Sequence, residues 1–148
     1  MFDIFMVSTE ILKELKKQEK LSLCLRKQIG AVIVKNGKIL SSGYNGNSST
    51  IPPCSVIGCA KEYFKMRPGQ RNELCTGLCA EQRAILNALK NGIDLKDATL
   101  YCSYSPCTIC SRFLVELGFK EVYYLKEYGD PLSKQILKLG KIKREKII

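Results

Sequence analysis

The chain has 148 residues, 45% hydrophobic and 26% charged, with a formal net charge of +10 and no histidine. That length fits one domain, 1–148, with a sizeable core, and no apolar run is long enough to span a bilayer. The absence of histidine excludes Ser-His and Cys-His hydrolases and leaves thiolates and carboxylates to build any metal site.

Residues 3–18 read as a helix. Ile4, Val7, Ile11, Leu12 and Leu15 recur at helical spacing, Asp3 is the expected N-cap, and the lysines occupy the other face. The opening Met1–Val7 stretch lacks the basic leader and cleavage site of a signal peptide, so the cytosol is the expected compartment. Ile29 to Val34 is a continuous apolar run, as in a strand covered on both faces. Asn36-Gly37 then marks a tight hairpin turn, and Ile39 to Ser42 returns as its second strand. Gly43-Tyr44-Asn45-Gly46 reads as a loop whose glycines let backbone approach a ligand.

Residues 47–77 show no periodicity. Thirty structureless residues are unusual inside a compact domain, so something must tie them down. From Cys79 to about Asn91 the pattern is helical, with Ala84, Ile85, Ala88 and Leu89 on one face. Ala98 to Ser103 reads as a strand. Pro106 suits the first turn of a helix that runs to Gly118. Glu121 to Leu125 is a strand, and Leu132, Ile136 and Leu139 mark a last helix ending at Gly140. Ile142 to Ile148 reads as a basic edge strand, its lysines guarding against mispairing. The order α, β-hairpin, α, β, α, β, α, β describes a mixed sheet with helices on its faces.

Eight cysteines in a reducing compartment point to metal ligation or catalysis rather than disulfides. They divide into Cys79, Cys107 and Cys110; Cys24, Cys54, Cys59 and Cys75; and Cys102, expected as a buried strand residue. The first three suit a catalytic zinc, which takes three protein ligands and keeps its fourth position for water. Cys79 and Cys107 each begin a predicted helix, whose positive end lowers a thiol's pKa. Cys107 and Cys110 are three apart and face one way. Glu81 is placed to carry protons without being a ligand. The competing reading is a structural zinc ribbon, with Cys75 or Cys102 as fourth ligand; it has no use for Glu81. The other four cysteines can close a tetrahedral structural zinc site that staples 47–77 to the segment before the first strand. The charge favours an anionic partner, a nucleotide phosphate or nucleic acid, or else is a solvated lysine surface. Nothing resembles the interleaved aromatic and basic residues of a single-strand binder.

Cys79-Ala80-Glu81 followed by Pro106-Cys107-Thr108-Ile109-Cys110 resembles the zinc motifs of the cytidine deaminase superfamily. Ser22-Leu23-Cys24-Leu25-Arg26, Ile29-Gly30-Ala31-Val32-Ile33-Val34, Gly43-Tyr44-Asn45-Gly46, Cys54, Cys59, Cys75 and Tyr128-Gly129-Asp130 narrow the resemblance to deoxycytidylate (dCMP) deaminases, over about residues 20–130. The resemblance implies a three-layer α-β-α fold, a mixed five-stranded sheet with an N-terminal β-hairpin, and zinc-dependent conversion of dCMP to dUMP and ammonia. It makes Glu81 the proton carrier. It places Asn45 against the sugar, Arg26 and neighbouring lysines at the 5′-phosphate, Ala80 at the base, and Tyr104–Ser105 along the pocket. Tyr128 and Asp130 have capping the last helix as their simpler role. Some members carry a structural zinc, and members are usually homo-oligomers, often hexamers. Cytidine, dCTP or a base in tRNA or single-stranded nucleic acid are alternative substrates, and an inactive nucleotide-binding protein is the alternative class.

The chain departs from that pattern in having Cys79 where most dCMP deaminases have His, and Arg83 where most have Asn. Three thiolates leave a zinc site negatively charged, which opposes deprotonation of water there. Arg83 lies one helical turn from Cys79. Cytidine deaminases with all-cysteine zinc sites likewise carry an Arg just after Cys-Ala-Glu. The expectation is therefore that the Arg83 guanidinium hydrogen-bonds to a zinc-bound sulfur and compensates its charge.

Overall fold

The computed structural model describes residues 8–67, 71 and 73–147. The first helix, α1 (Thr9–Leu21), starts later than its periodicity predicts, because Ser8 is the N-cap and its hydroxyl accepts from the Ile11 amide. The expected cap Asp3 and the apolar Ile4 and Val7 lie outside the described residues. Ile11 and Leu15 anchor the helix by burial.

β1 (Gly30–Lys35) and β2 (Lys38–Tyr44) form the predicted hairpin. Asn36 and Gly37 both have positive φ, 52° and 75°, as a type I′ turn requires. β2 runs two residues further than predicted, so Gly43 belongs to a strand rather than to a ligand loop. A side chain there would sit 2.5 Å from the Ala84 nitrogen and 2.7 Å from the Ala80 oxygen. Gly43 therefore admits a helix, not a ligand.

The 47–77 segment holds two four-residue helices, α2 (Cys54–Ile57) and α3 (Ala60–Tyr63). α4 (Ala80–Lys90), β3 (Thr99–Tyr104), α5 (Thr108–Leu117), β4 (Glu121–Lys126), α6 (Pro131–Leu139) and β5 (Lys143–Lys146) follow. Pro106 precedes α5 and its N-cap Cys107, instead of lying in its first turn. The basic edge strand is shorter than predicted, and Ile148 lies outside the described residues.

The five strands are ordered β2-β1-β3-β4-β5. β1 is antiparallel to both neighbours, while β3, β4 and β5 are mutually parallel. The register slips between Ile33 and Val34, a bulge that bends the hairpin. Alternate residues of β1 serve opposite cores. Val32 and Val34 meet Ile11 and Leu15 of α1, while Ala31 and Ile33 join Ala84, Ile85, Leu114 and Leu137 of α4, α5 and α6. These are the three expected layers. The crossovers through α5 and α6 place both helices on one face, as right-handed connections demand. Their N-termini and that of α4 thus gather at one edge of the layer.

Candidate active site

α4 and α5 each begin on a cysteine. Cys79 is the N-cap of α4, and its amide donates to the Gln82 side chain at 2.9 Å. That is one half of a capping box, legible in hindsight from the Cys-x-x-Gln spacing. Cys107 is the N-cap of α5, and its sulfur accepts from the Cys110 amide at 3.5 Å. The sulfurs of Cys79, Cys107 and Cys110 lie within 4.8 Å of one another. A tetrahedral zinc with sulfurs at ~2.3 Å needs them roughly 3.8 Å apart, so the triad fits with small adjustment. Thiolate donors also suit zinc chemically.

No fourth Cys, Asp or Glu among the described residues joins this cluster. Cys75 is exposed and Cys102 is fully buried, its sulfur against the Tyr123 carbonyl at 3.6 Å. Neither supplies the fourth ligand a ribbon needs. Instead the triad opens, through Cys79 and Cys107, onto a cleft of about 540 Å³. Three ligands and an open side are the catalytic arrangement.

The thiols do not share charge as two helix starts alone would predict. Cys107 is held far below the usual thiol range by hydrogen bonds from Cys110 and Cys79 and by backbone amides. Cys79 is pushed up, because it donates to Cys107. Glu81, in the first turn of α4, is 5% exposed. Burial raises its carboxyl to about 7, the charge of Cys107 adds to that, and a hydrogen bond with Cys110 opposes it. It lines the same cleft without belonging to the sulfur cluster.

Arg83 does something other than compensate sulfur charge. Its Nε donates to the Tyr44 carbonyl at 2.8 Å, and Nη2 donates to Gly46 at 2.6 Å and Asn47 at 3.2 Å. The guanidinium lies over the Tyr44 ring, 4.4 Å from its centroid. It is a clamp from α4 onto the 44–47 segment. The physical reason is geometric: a planar fork can reach three carbonyls at once where β2 gives way to the following loop, and that of Gly46 also accepts from the Leu78 amide at 3.0 Å.

Arg26, Asn45, Ala80, Tyr104 and Ser105 all line the cleft, and most have internal partners as well. Asn45 Oδ1 accepts from Ser22 at 2.6 Å and the Ile29 amide at 2.8 Å, and Nδ2 donates to the Lys27 carbonyl at 2.8 Å. One amide proton is left for a ligand. Arg26 donates to the Met66 carbonyl at 2.8 Å, tying down the 47–77 segment. Ser105 accepts from the Tyr128 amide at 2.7 Å. The neighbouring Lys27 ammonium lies 4.5 Å from the Tyr104 ring centroid and 5.4 Å from that of Tyr128, at the cleft wall.

Cys24, Cys54, Cys59 and Cys75 come to the same cleft. Burial raises the Cys54 thiol, and the charges of Cys59, Cys75 and Cys24 add to it. Their sulfurs are not drawn together as those of the first triad are.

The profile of the cytidine and deoxycytidylate deaminase zinc-binding region matches residues 7–126. The chain is 35% identical over 120 residues to the deoxycytidylate deaminase of Saccharomyces cerevisiae, and 33% over 110 residues to that of Schizosaccharomyces pombe. These alignments cover 79% and 74% of the chain but 37% and 34% of the yeast proteins, so it spans about a third of their length. The crystal structure of the cyanophage S-TIM5 dCMP deaminase in complex with dCMP and dUMP superposes with a TM-score of 0.77 at 31% identity, over 95% of this chain and 98% of that one. A thiolate triad at two helix starts, a carboxylate buried beside it, and a profile match running from α1 through β4 agree: the chain belongs to the cytidine and deoxycytidylate deaminase zinc-binding family.

Proposed function

We propose that the protein is a zinc-dependent hydrolytic deaminase that converts dCMP to dUMP and ammonia. The observation that carries this reading is the open Cys79, Cys107 and Cys110 triad with Glu81 buried beside it on a nucleotide-sized cleft. The S-TIM5 relative, crystallised with that substrate and product, supports the choice of nucleotide.

Cys79, Cys107 and Cys110 would hold the ion. When bound, zinc supplies Lewis acidity that makes hydroxide available near neutral pH. Glu81 takes the proton from the attacking water, which adds to the ring carbon bearing the amino group. It delivers that proton to the ring nitrogen, then takes the proton of the newly added hydroxyl and passes it to the amino group, which leaves as ammonia as the C–N bond breaks and the carbonyl forms. Ala80 and Tyr104 wall the base, the free amide proton of Asn45 meets the sugar, and Arg26 with Lys27 faces the phosphate. Cys24, Cys54, Cys59 and Cys75 would hold a second, structural zinc, a reading supported by their place in one cleft and by the influence of the other three on Cys54. The chain acts as a homo-oligomer in the cytosol; exposed Leu86, Leu89 and Phe113 on α4 and α5 support the assembly. No helix among the described residues is long and apolar enough to cross a membrane.

Ammonia release from dCMP, dCTP, cytidine and cytosine-containing oligonucleotides tests the substrate. We expect dCMP to be preferred, and Glu81→Ala to cut kcat by about 10²- to 10⁴-fold while zinc stays bound. Activity on oligonucleotides alone would replace the reading with nucleic-acid editing. Inactivity on all four would make the protein a nucleotide-binding module.

A further inference from the structure

Every residue of the Ser105-Pro106-Cys107-Thr108 turn except Cys107 is fastened to the stretch that runs from the last residue of β4 to the first turn of α6. The Ser105 amide donates to the Lys126 carbonyl at 2.9 Å, and its hydroxyl accepts from Tyr128. The Pro106 carbonyl accepts from the Ser133 hydroxyl at 2.6 Å. Thr108 donates its amide to Asp130 Oδ2 at 2.8 Å, and its hydroxyl bonds to the same carboxylate. One turn on, the Ser111 and Ser133 hydroxyls meet at 2.6 Å. Ser105, Pro106, Ser111 and Ser133 are all buried. Asp130 is also the N-cap of α6, accepting from the Ser133 amide at 3.2 Å. A single carboxylate thus caps two helices, one of which starts on a proposed zinc ligand.

We propose that Asp130 and Ser133 are positioning residues for the metal. They fix the turn so that Cys107 and Cys110 hold their place in the sulfur triad. Neither residue lines the cleft, so neither is catalytic. Asp130 does the larger share. Its two oxygens satisfy the first amide of α5 and a first-turn amide of α6, donors that a helix start otherwise leaves unpaired. Ser133 bridges Pro106 on one side of Cys107 and Ser111 on the other. Burial makes that arrangement rigid, since an unpaired group there costs far more than an exposed one. The inference rests on the reading that Cys79, Cys107 and Cys110 hold zinc.

The test follows zinc release from the full-length, zinc-loaded protein into excess chromophoric chelator, taking the phase that tracks loss of deaminase activity. Asp130→Ala, Asp130→Asn and Ser133→Ala are compared with Ser8→Ala, which removes the cap of α1 across the sheet. Partners outside the ligand shell typically change metal affinity by 10- to 100-fold. Asp130→Ala is accordingly expected to speed release by about 10- to 100-fold, with Asp130→Asn intermediate because its amide keeps one acceptor oxygen. The thiolate-to-metal charge-transfer band of the cobalt-substituted Asp130 variants shifts, and Ser8→Ala leaves both readouts unchanged. If the alanine variant does not fold, the near-isosteric asparagine variant carries the test. Zinc release at the wild-type rate from both Asp130 variants would overturn the inference, as would equal acceleration in Ser8→Ala. A wild-type protein whose zinc release does not track activity would overturn the underlying metal reading instead.

Discussion

The two cysteine groups of this protein have similar chemistry and opposite surroundings. Cys79, Cys107 and Cys110 sit at the starts of helices packed on the sheet, and hydrogen bonds to Asp130 and from Ser133 at the start of α6 hold the turn that carries Cys107. Cys24, Cys54, Cys59 and Cys75 sit in loops and two four-residue helices that bury no residue of their own. Val56, Ile57, Tyr63 and Phe64 of that segment are exposed. The first site is assembled by the fold. Little apolar surface is buried in the second to offset the entropy of ordering it, so on the proposed reading an ion would assemble it.

The largest expected effect follows from that contrast. Metal analysis should give about two zinc ions per chain in the wild type and about one in Cys59→Ser. Limited proteolysis of that variant should cut within 47–77 while the sheet stays protected. One zinc per chain in both proteins, with equal protection, would break the comparison and leave the four thiols as ordinary side chains.

Arg83 joins the two regions, since its clamp holds the strand end that leads into 47–77. Arg83→Ala should cost about 2 kcal/mol, because hydrogen bonds to charged groups contribute ~1.5–3 kcal/mol and do not add fully. For a chain of this size that lowers Tm by roughly 4–8 °C. KM for dCMP should rise more than kcat falls, since the cleft wall loosens and the metal does not. Arg83→Lys should not rescue, because an ammonium cannot span three carbonyls. A displaced pH–rate profile in Arg83→Ala would instead return the residue to the charge-compensating role.

The smallest effect is on the well-braced side. Burial would raise the Glu127 carboxyl, but hydrogen bonds from Arg144 and Tyr124 outweigh it and hold the group below its ordinary 4.5. A depressed pKa contributes stability that is present above about 4.5 and is lost as pH falls below it. Glu127→Gln should therefore be slightly less stable at neutral pH and show a shallower loss of stability below pH ~4.5. The side chain is 38% exposed, so the difference should stay under about 1 kcal/mol. Thermal melts from pH 7 to 3 measure it; parallel curves for variant and wild type would show that the network adds nothing.

Much of the fold was legible because its signals are local. The Asn36-Gly37 turn, the apolar run of β1 and the helical spacing after Cys79 each depend on a few neighbouring residues. The starts of α1 and α5 were misplaced for the same reason. Apolar spacing continues upstream of Ser8, and Pro106 is compatible with a helix that in fact begins after Cys107. The role of Arg83 was not legible at all. Its partners are carbonyls of residues 44, 46 and 47, which no spacing rule connects to position 83. The resemblance places Asn45 against the sugar, yet most of its side chain braces the loop before β1, and no local signal marks the Asp130 brace across to Thr108.

The sequence by itself determined the chemistry. With no histidine, any metal site had to be built from thiolates and carboxylates, and the Cys-Ala-Glu and Pro-Cys-x-x-Cys spacings placed three cysteines and a carboxylate at helix starts. Only the tertiary structure decided which site is open and which groups hydrogen-bond within it. It withheld Cys75 and Cys102 from the triad, buried Glu81 beside it, and turned Arg83 toward backbone. The physical reason is that ligand identity is a property of residue type. Openness, burial and hydrogen-bond partners depend on which distant groups the packed sheet and helices bring within a few ångströms.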